Sequence, residues 1–150
     1  MSQISPAVEE CLSKVREAVA ADKLTESAVD NIKCWLTESR YAQYVPQILE
    51  HVEKGMWREL DDAFWTVIPF GTGGRRGKMY PFGSNSINER TIGESAQGLA
   101  DYIKEIKPDG PWKFGIAYDT RHRSREFSEL CASIMVANGC LLYTSPSPRD

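Results

Sequence analysis

The segment WKFGIAYDTRHRSREFSELCASIMVANG, residues 112–139, determines the fold class that the sequence predicts. It begins with a nearly unbroken apolar run that closes on Asp119, which is typical of a strand covered on both faces of a sheet. After a polar turn, apolar residues recur at helical spacing, at Phe127, Leu130, Ile134 and Ala137. We predict that Ser124 caps this helix and that Asn138-Gly139 ends it. The segment therefore predicts a strand, a loop and a helix in succession.

An amphipathic helix precedes this strand in residues 88–106. Its predicted inner side carries Ile92, Ala96, Leu99, Ile103 and Ile106. Pro108, Gly110 and Pro111 break the pattern before the strand begins. The order helix, strand, helix predicts an α/β fold, a mixed sheet flanked by helices.

Residues 1–60 are predicted to form a helical N-terminal extension. Helical spacing is found in residues 6–21, in a helix that Thr25 can cap, and in residues 46–54. A short helix should then lead into a strand over residues 64–70, since aromatic and β-branched residues favour a pleated, buried surface. The predicted organisation is an extension over 1–60 and a partial α/β domain over 61–139.

The final stretch CLLYTSPSPRD, residues 140–150, does not fit this pattern. It can be a further strand with a proline-rich tail, but it also matches, codon for codon, one translation of a transposase-type sequencing adapter. We therefore expect residues 140–150 to be adapter read-through and exclude them from fold reasoning. The native protein is expected to continue beyond about Gly139 with a different sequence.

Composition indicates a soluble globular chain without a global preference for polyanions. The 150 residues are 41% hydrophobic and 26% charged, with a net charge of -3, so neither nucleic acid nor a membrane surface is an expected partner. Neither a signal peptide nor a membrane span is evident, which predicts a cytoplasmic protein. The four cysteines lack metal-ligand spacing, so we expect reduced thiols and no metal site.

Positive charge is concentrated in two loops. Six of the 18 lysine and arginine residues lie in or beside these loops: Arg75, Arg76 and Lys78 form the first cluster, and Arg121, Arg123 and Arg125 form the second. Any anion binding must come from such local clusters, because the net charge is negative.

The first loop, FGTGGRRG at residues 70–77, has the composition of a phosphate site. Its glycines allow backbone N–H groups to approach an anion, and arginine offers a planar fork for phosphate oxygens. A tight turn with solvated arginines is the structural alternative. The spacing excludes a Walker A loop, since Met79 stands where a hydroxyl is required, and a dinucleotide fingerprint, since Arg76 replaces its last glycine.

The second loop, YDTRHRS at residues 118–124, lies where open α/β sheets place ligands, between a strand end and a helix start. Asp119 could fix Arg121 or Arg123 by a charge-assisted hydrogen bond. His122 could carry a proton or be a plain surface residue.

Together and in this order, the two loops resemble the α-D-phosphohexomutase superfamily, the phosphoglucomutases and phosphomannomutases. FGTGGRRG is similar to that family's F-G-T-x-G-x-R-G loop, and residues 87–102 resemble the helix that follows it. Residues 116–139 resemble its strand, D-x-R loop and helix. WL at residues 35–36 and GMWRELDDAF at residues 55–64 resemble the N-terminal extension of the longer phosphoglucomutase and phosphopentomutase-like members.

The resemblance implies four α/β domains around a cleft, of which this chain would carry most of the first. It implies an isomerase that interconverts hexose 1- and 6-phosphates through a phosphoserine and a hexose 1,6-bisphosphate. Mg²⁺ would be held by the phosphoserine and by aspartates of a later domain. The implied partners are a phosphosugar and the remaining domains of the parent chain.

The resemblance also assigns roles to individual residues. Arg76 would contact phosphate beside the phosphoserine, on a loop shaped by Gly71, Thr72, Gly73 and Gly74, while Arg75 departs from the family's usual apolar residue. Asp119, Arg121, His122 and Ser124 would support the floor of the active site. No catalytic residue or metal ligand is assigned, because the family's serine loop is absent, and Ser145 in the tail is not taken for it. The chain is therefore expected to be inactive and to bind neither Mg²⁺ nor bisphosphate on its own.

Two other functions remain open from the sequence. One is a stand-alone phosphate- or nucleotide-binding α/β module that uses the same two loops. The other is a helical interaction module whose loops are incidental. A truncated mutase should differ from both by exposing apolar surface that the rest of its domain would cover.

Overall fold

The computed structural model describes residues 5–144, and the chain divides into two compact units at the boundary between Asn88 and Glu89. We call them the first and the second unit. Within residues 5–144 the helices are α1 Pro6–Ala20, α2 Glu26–Thr37, a 3-10 helix Ser39–Tyr44, α3 Val45–Glu53, α4 Trp57–Phe64, α5 Glu89–Ile106 and α6 Ser124–Ala137. The strands are β1 Phe70–Gly71, β2 Gly74–Arg75, β3 Lys113–Ile116 and β4 Leu141–Thr144. These elements confirm a helical N-terminus followed by an incomplete α/β arrangement.

Helices α1 to α4 of the first unit enclose an aromatic core. Trp35 is buried at its centre, with its ring stacked on Tyr41 at a centroid distance of 4.4 Å and edge-on to Phe64 at 5.6 Å. The apolar stripes predicted for α1, α2 and α3 supply Leu12, Ile32 and Ile48, among others. Helical periodicity predicted this core because burial of one helix face is what that spacing encodes.

Thr25 lies at the N-cap of α2, as predicted, but its side chain bonds to another helix. Its backbone N–H and its hydroxyl both donate to Oδ1 of Asp61, at 2.8 and 2.7 Å. No side-chain hydrogen bond caps α2. The hydroxyl therefore ties the start of α2 to α4 instead of satisfying the helix's own N–H groups.

The strand predicted over residues 64–70 is wrong. Phe64 ends α4, and the side chains of Trp65, Val67 and Phe70 are 50%, 60% and 72% exposed. The backbone here bonds to the loop that follows: Ile68 N–H donates to the Ser84 carbonyl at 2.8 Å, and the Ser84 hydroxyl donates to the Thr66 carbonyl at 2.7 Å. These bonds take the place of a strand ladder over residues 65–69. Of the segment, only Phe70 belongs to a strand, in the short pair β1–β2.

Residues 77–88 return from the glycine loop to the helices of the first unit. Phe82 is buried in the aromatic core, and Asn85 N–H donates to the Ala63 carbonyl at 2.9 Å. Gly83, between them, has φ +105°, and a Cβ there would lie 2.5 Å from the Ala63 carbonyl oxygen. Only glycine fits this contact, because a side chain would meet both a steric clash and an unfavourable backbone conformation.

The second unit pairs β3 with β4 in parallel, with Lys113 opposite Leu141, and packs α5 against α6. Its buried cluster is small and consists of Ala100, Met135 and Cys140, with Ile103, Trp112 and Phe114 partly buried against it. β3 alternates between exposed and half-buried residues, so the expectation that both of its faces are covered is wrong.

Several apolar side chains of the second unit face solvent. Leu99 and Ile106 of α5 and Ala137 of α6, which the sequence predicts to point inward, are exposed. The side chains of Tyr102, Val136, Leu141 and Tyr143 are exposed as well. The small buried cluster explains this, because the elements present do not cover these side chains.

The prediction that residues 140–150 are adapter read-through remains a prediction. Residues 141–144 form β4, while residues 145–150, including Ser145, lie outside the described residues. Nowhere in residues 5–144 does a helix combine the length and the apolarity that a membrane crossing requires.

Substitution of Gly83 by alanine should destabilise the first unit by about 2–4 kcal/mol, because overpacking against Ala63 adds to strain at a positive φ. Gly73→Ala is the matched control, since a Cβ there makes only an ordinary 3.5 Å contact with Arg76. We expect that change to stay within about 0.5 kcal/mol. Urea denaturation followed by tryptophan fluorescence, with amide hydrogen exchange of the first unit, measures both. Equal effects of the two substitutions would contradict the role given to Gly83.

Candidate functional site

The glycine loop forms a tight hairpin at the surface of the first unit. β1 and β2 are antiparallel, with Phe70 opposite Arg75 and Gly71 opposite Gly74, so Thr72 and Gly73 form the two-residue turn. Gly74 has φ +106°, which side-chain-bearing residues rarely adopt. Gly71, Thr72 and Gly73 are all exposed. The backbone of the loop is therefore exposed to solvent, with little cover from side chains.

Arg76 follows this hairpin and is exposed. A Cβ on Gly73 would lie 3.5 Å from Nη2 of Arg76, so the guanidinium lies beside the turn. Within residues 5–144 it has no hydrogen bond and no ion pair. Arg75, by contrast, is half-buried. Arg76 is thus a cation available to an anion at the glycine turn.

Gly77 and Lys78 attach the end of the loop to the unit. A Cβ at Gly77 would lie 2.8 Å from Cδ1 of the buried Ile68, so the absence of a side chain permits this packing. Nζ of Lys78 lies 2.7 Å from Oδ2 of Asp62 in α4. The Lys78 side chain is 78% exposed, so this ion pair contributes little to the free energy of folding. Its effect is to orient the end of the loop relative to α4.

A cleft of about 490 Å³ opens beside the hairpin, within the first unit. Its lining includes Asp62, Trp65, Val67, Arg76 and Lys78. The sequence did not predict that Asp62 and Trp65 belong here. The signal was the apolar run of residues 64–70, which predicts a buried strand. In the structure Phe64 and Ile68 are buried, whereas Trp65, Val67 and Phe70 are exposed.

The second loop is a hydrogen-bonded turn in the second unit. Both the backbone N–H and Nε of Arg121 donate to the Asp119 carboxylate, at 3.1 and 2.7 Å. The Asp119 N–H donates to Oγ of Ser124 at 3.2 Å. The pKa of Asp119 is lowered, chiefly by the hydrogen bond from the Arg121 backbone. The sequence allowed either Arg121 or Arg123 as the partner of Asp119, and in the structure the partner is Arg121. His122 is exposed.

The cap of α6 is Arg123, so the prediction of a Ser124 cap is wrong. Arg123 has φ +60°, and Ser124 is the first helical residue, with its hydroxyl occupied by Asp119. The Arg123 guanidinium pairs with the Glu89 carboxylate and lies 4.8 Å from the centroid of the Phe127 ring. This hydrogen bond from Arg123 lowers the pKa of Glu89.

Both arginines of the second loop, and Arg125 in the first turn of α6, are paired with carboxylates of their own unit. Arg121 binds Asp119, Arg123 binds Glu89, and Arg125 lies 2.8 Å from Glu129. The two loops thus differ electrostatically, because the second is neutralised internally while Arg76 of the first is not. They belong to different units, one loop to each.

A Mg²⁺ site requires a cluster of oxygen ligands. In the part of the chain that the structure describes, no three histidine, cysteine, aspartate or glutamate side chains lie close enough together to hold a metal ion. The residues present therefore do not fit such a site.

The sequence model described as phosphoglucomutase/phosphomannomutase, alpha/beta/alpha domain I, matches residues 68–146, more than half of the chain. A phosphoribomutase of Saccharomyces cerevisiae is 29% identical over 110 residues, which cover 73% of this chain and 17% of the yeast protein. Phosphoglucomutases of Staphylococcus haemolyticus and Staphylococcus aureus are 37% and 35% identical over 83 and 85 residues, 15% of each enzyme. These matches cover 55% and 57% of this chain. The chain thus spans about a sixth of the length of the curated relatives it matches. No solved structure matches it significantly.

Substitution of Arg123 by glutamine should raise the pKa of Glu89 toward the ordinary value of about 4.3, because the hydrogen bond that lowers it is lost. With Arg123 in place, the ionised Glu89 carboxylate stabilises the folded state at pH values above its ordinary pKa. This stabilisation is lost as the pH falls through the lower pKa of the folded state. A ¹³C NMR titration of the side-chain carboxyls measures the shift. Arg125→Gln, which removes the partner of Glu129, is the control and should leave Glu89 unchanged.

Proposed function

Because the chain belongs to the phosphoglucomutase/phosphomannomutase family and carries part of its alpha/beta/alpha domain I, we propose that it is the N-terminal part of a sugar-phosphate mutase. The proposed reaction is an intramolecular phosphotransfer that interconverts hexose 1- and 6-phosphates through a phosphoserine and a hexose 1,6-bisphosphate. A cytoplasmic location and a phosphosugar substrate are part of the proposal. The chain by itself is proposed to be inactive, since it lacks the family's serine loop.

The observation that carries the proposal is the free guanidinium of Arg76 beside the exposed glycine turn. Phosphoryl transfer depends mainly on positioning and on stabilising the charge of the phosphoryl oxygens. An exposed arginine next to bare backbone supplies both, through a two-pronged hydrogen bond and N–H groups that no Cβ covers. We assign the contact with the transferring phosphoryl group to Arg76 and to the turn formed by Gly71, Thr72, Gly73 and Gly74.

The second loop has a supporting role in this proposal. Arg121 is engaged with Asp119, and the Asp119 N–H with Ser124, so these groups define the path of the turn and leave little free charge for a ligand. His122 adds an exposed imidazole but is given no proton-transfer role. The half-buried Arg75 is assigned to the shape of the hairpin instead of to substrate. Metal chemistry is not assigned to residues 5–144, which do not offer a ligand set.

The purified chain should not convert glucose 1-phosphate to glucose 6-phosphate, with or without MgCl₂ and glucose 1,6-bisphosphate, because no phosphorylatable serine loop is present. A dehydrogenase-coupled assay for glucose 6-phosphate measures turnover, with an intact staphylococcal phosphoglucomutase as positive control. Mutase activity that copurifies with the chain would refute the prediction that the chain is inactive.

The same chain should bind phosphate weakly through the glycine loop, which we expect to see as saturable shifts of the Gly71, Gly73 and Gly77 amide signals in ¹⁵N NMR. Arg76→Ala should weaken this binding about tenfold, since one charge-assisted contact is lost. Arg58→Ala, which removes another exposed arginine of the first unit, is the control. Tighter binding of a nucleotide than of hexose bisphosphate, abolished by Arg76→Ala, would favour the stand-alone nucleotide-binding module instead.

A further inference from the structure

We propose that Asn138 is a site of spontaneous deamidation, and that the packing of α5 against α6 suppresses the reaction until the second unit opens. Asn138 and Gly139 are the only Asn-Gly pair in the 150 residues, and they lie outside both basic loops. Glycine carries no Cβ, so its backbone nitrogen reaches the side chain of a preceding asparagine with little steric hindrance. The chain therefore has one favoured position for this modification, at the turn that ends α6.

The reaction needs only water and hydroxide. The backbone nitrogen of Gly139, after losing its proton to hydroxide, attacks Cγ of Asn138. A new C–N bond closes a succinimide ring, the bond from Cγ to Nδ2 breaks, and Nδ2 leaves as ammonia after taking a proton from water. Water then opens the ring at either carbonyl carbon, which gives aspartate or isoaspartate at position 138. Isoaspartate adds one carbon atom to the main chain.

The amide that must react is held by four hydrogen bonds. Nδ2 of Asn138 donates to the Ile134 carbonyl at 2.9 Å and to Oε1 of Gln97 at 3.0 Å. Oδ1 of Asn138 accepts from Nζ of Lys104 at 2.7 Å and from Nε2 of Gln97 at 3.3 Å. These bonds use both N–H groups of the amide and both lone pairs of its oxygen. Because Gln97 and Lys104 belong to α5, the Asn138 side chain joins the ends of two helices.

The attacking nitrogen is held in an unreactive position. The Gly139 N–H donates to the Val136 carbonyl at 2.9 Å. Asn138 has ψ 5°, which places the Gly139 nitrogen close to eclipsing the backbone nitrogen of Asn138 and away from Cβ. Ring closure needs the Gly139 nitrogen beside Cβ, so the backbone must rotate about the Cα–C bond and the bond to Val136 must break. The turn therefore reacts only after it has opened.

The second unit opens readily because little apolar surface holds it together. Its buried cluster is small and consists of Ala100, Met135 and Cys140. Regions with few buried apolar contacts open locally at a low free energy. Once open, Asn138 has the reactivity of an unfolded chain. The observed rate of deamidation is therefore the chemical rate multiplied by the fraction of molecules that are open.

Conversion of Asn138 makes the opening harder to reverse. A carboxylate at position 138 has no N–H to donate to the Ile134 carbonyl, and it places negative charge at the C-terminus of α6, where the helix dipole disfavours it. The Lys104 ammonium group offsets part of that charge. Isoaspartate also lengthens the connection between α6 and β4. The modification thus weakens the contact between α5 and α6 that suppressed it.

The Gly139 amide provides the measurement, because the same N–H must leave the Val136 carbonyl for hydrogen exchange and for attack on Asn138. ¹⁵N NMR gives its exchange rate, and peptide mapping by mass spectrometry separates asparagine, aspartate and isoaspartate. In mildly alkaline buffer, we expect Asn138 of the folded chain to deamidate at least about tenfold more slowly than in guanidinium chloride, since several hydrogen bonds must break first. Asn31 is the internal control and should stay intact in both states, because the branched Ile32 hinders the reaction.

A substitution on α5 tests whether packing controls the rate. Gln97→Ala removes two of the four bonds to the Asn138 amide. It should speed deamidation of Asn138 and exchange of the Gly139 amide by the same factor, about tenfold. Glu105→Ala changes another exposed polar residue of α5 and should alter neither rate. The amide spectrum of each variant verifies that the second unit is folded.

Three results would overturn this proposal. Equal deamidation rates in the folded and the denatured chain would show that packing does not protect Asn138. A faster reaction in the folded chain would show that Lys104, by polarising the Asn138 carbonyl, promotes the attack instead. Faster deamidation of Gln97→Ala without faster exchange at Gly139 would show that opening of the turn does not control the rate. The first two comparisons use the unaltered chain and do not depend on the folding of any variant.

Discussion

The contact between the Gly83 backbone and Ala63 is the constraint on which the candidate site depends. The hairpin that carries the glycine loop has only two residue pairs, and an isolated hairpin of that size is not stable in water. Its position must therefore come from the segment that follows. Phe82 enters the aromatic core, Gly83 packs on α4, and the Asn85 N–H bonds to the Ala63 carbonyl. The glycine turn and Arg76 keep their position at the surface because residues 82–85 are anchored to the core and to α4.

Pairing, and not the number of charges, distinguishes the two basic loops. Each contributes arginine at a turn, and composition gives no reason to rank one above the other. In the second loop, every arginine has a carboxylate partner within its own unit, so an anion would have to displace an existing ion pair. Arg76 has no such partner among the described residues. A phosphate would gain its full interaction there, which is why the ligand role is assigned to the first loop and the structural role to the second.

The sequence was sufficient where a local pattern determines the structure. The helical spacing of α1 to α3 comes from burial of one face, and the motifs of both loops are short and contiguous. It was insufficient where a partner lies far along the chain. Thr25 bonds to Asp61 and Arg123 to Glu89, 36 and 34 residues away, and neither pair follows from any local rule. Residues 64–70 show the same limit, because an apolar run does not reveal whether a sheet or solvent will meet it.

The N-terminal helices take part in the site through His51, which joins α3 to the segment after the glycine loop. Nδ1 of His51 lies 2.8 Å from the Gln47 carbonyl, which can only accept, so Nδ1 carries a proton. In the neutral ring Nε2 is then an acceptor, and it receives the Tyr80 hydroxyl at 2.8 Å. Burial raises the pKa of Tyr80, so that hydroxyl keeps its proton at neutral pH. Since His51 also packs edge-on against Phe82 at 4.9 Å, helix α3 helps to fix the segment that places Arg76. The helical extension is therefore part of the structure that builds the loop, which explains why both belong to one compact unit.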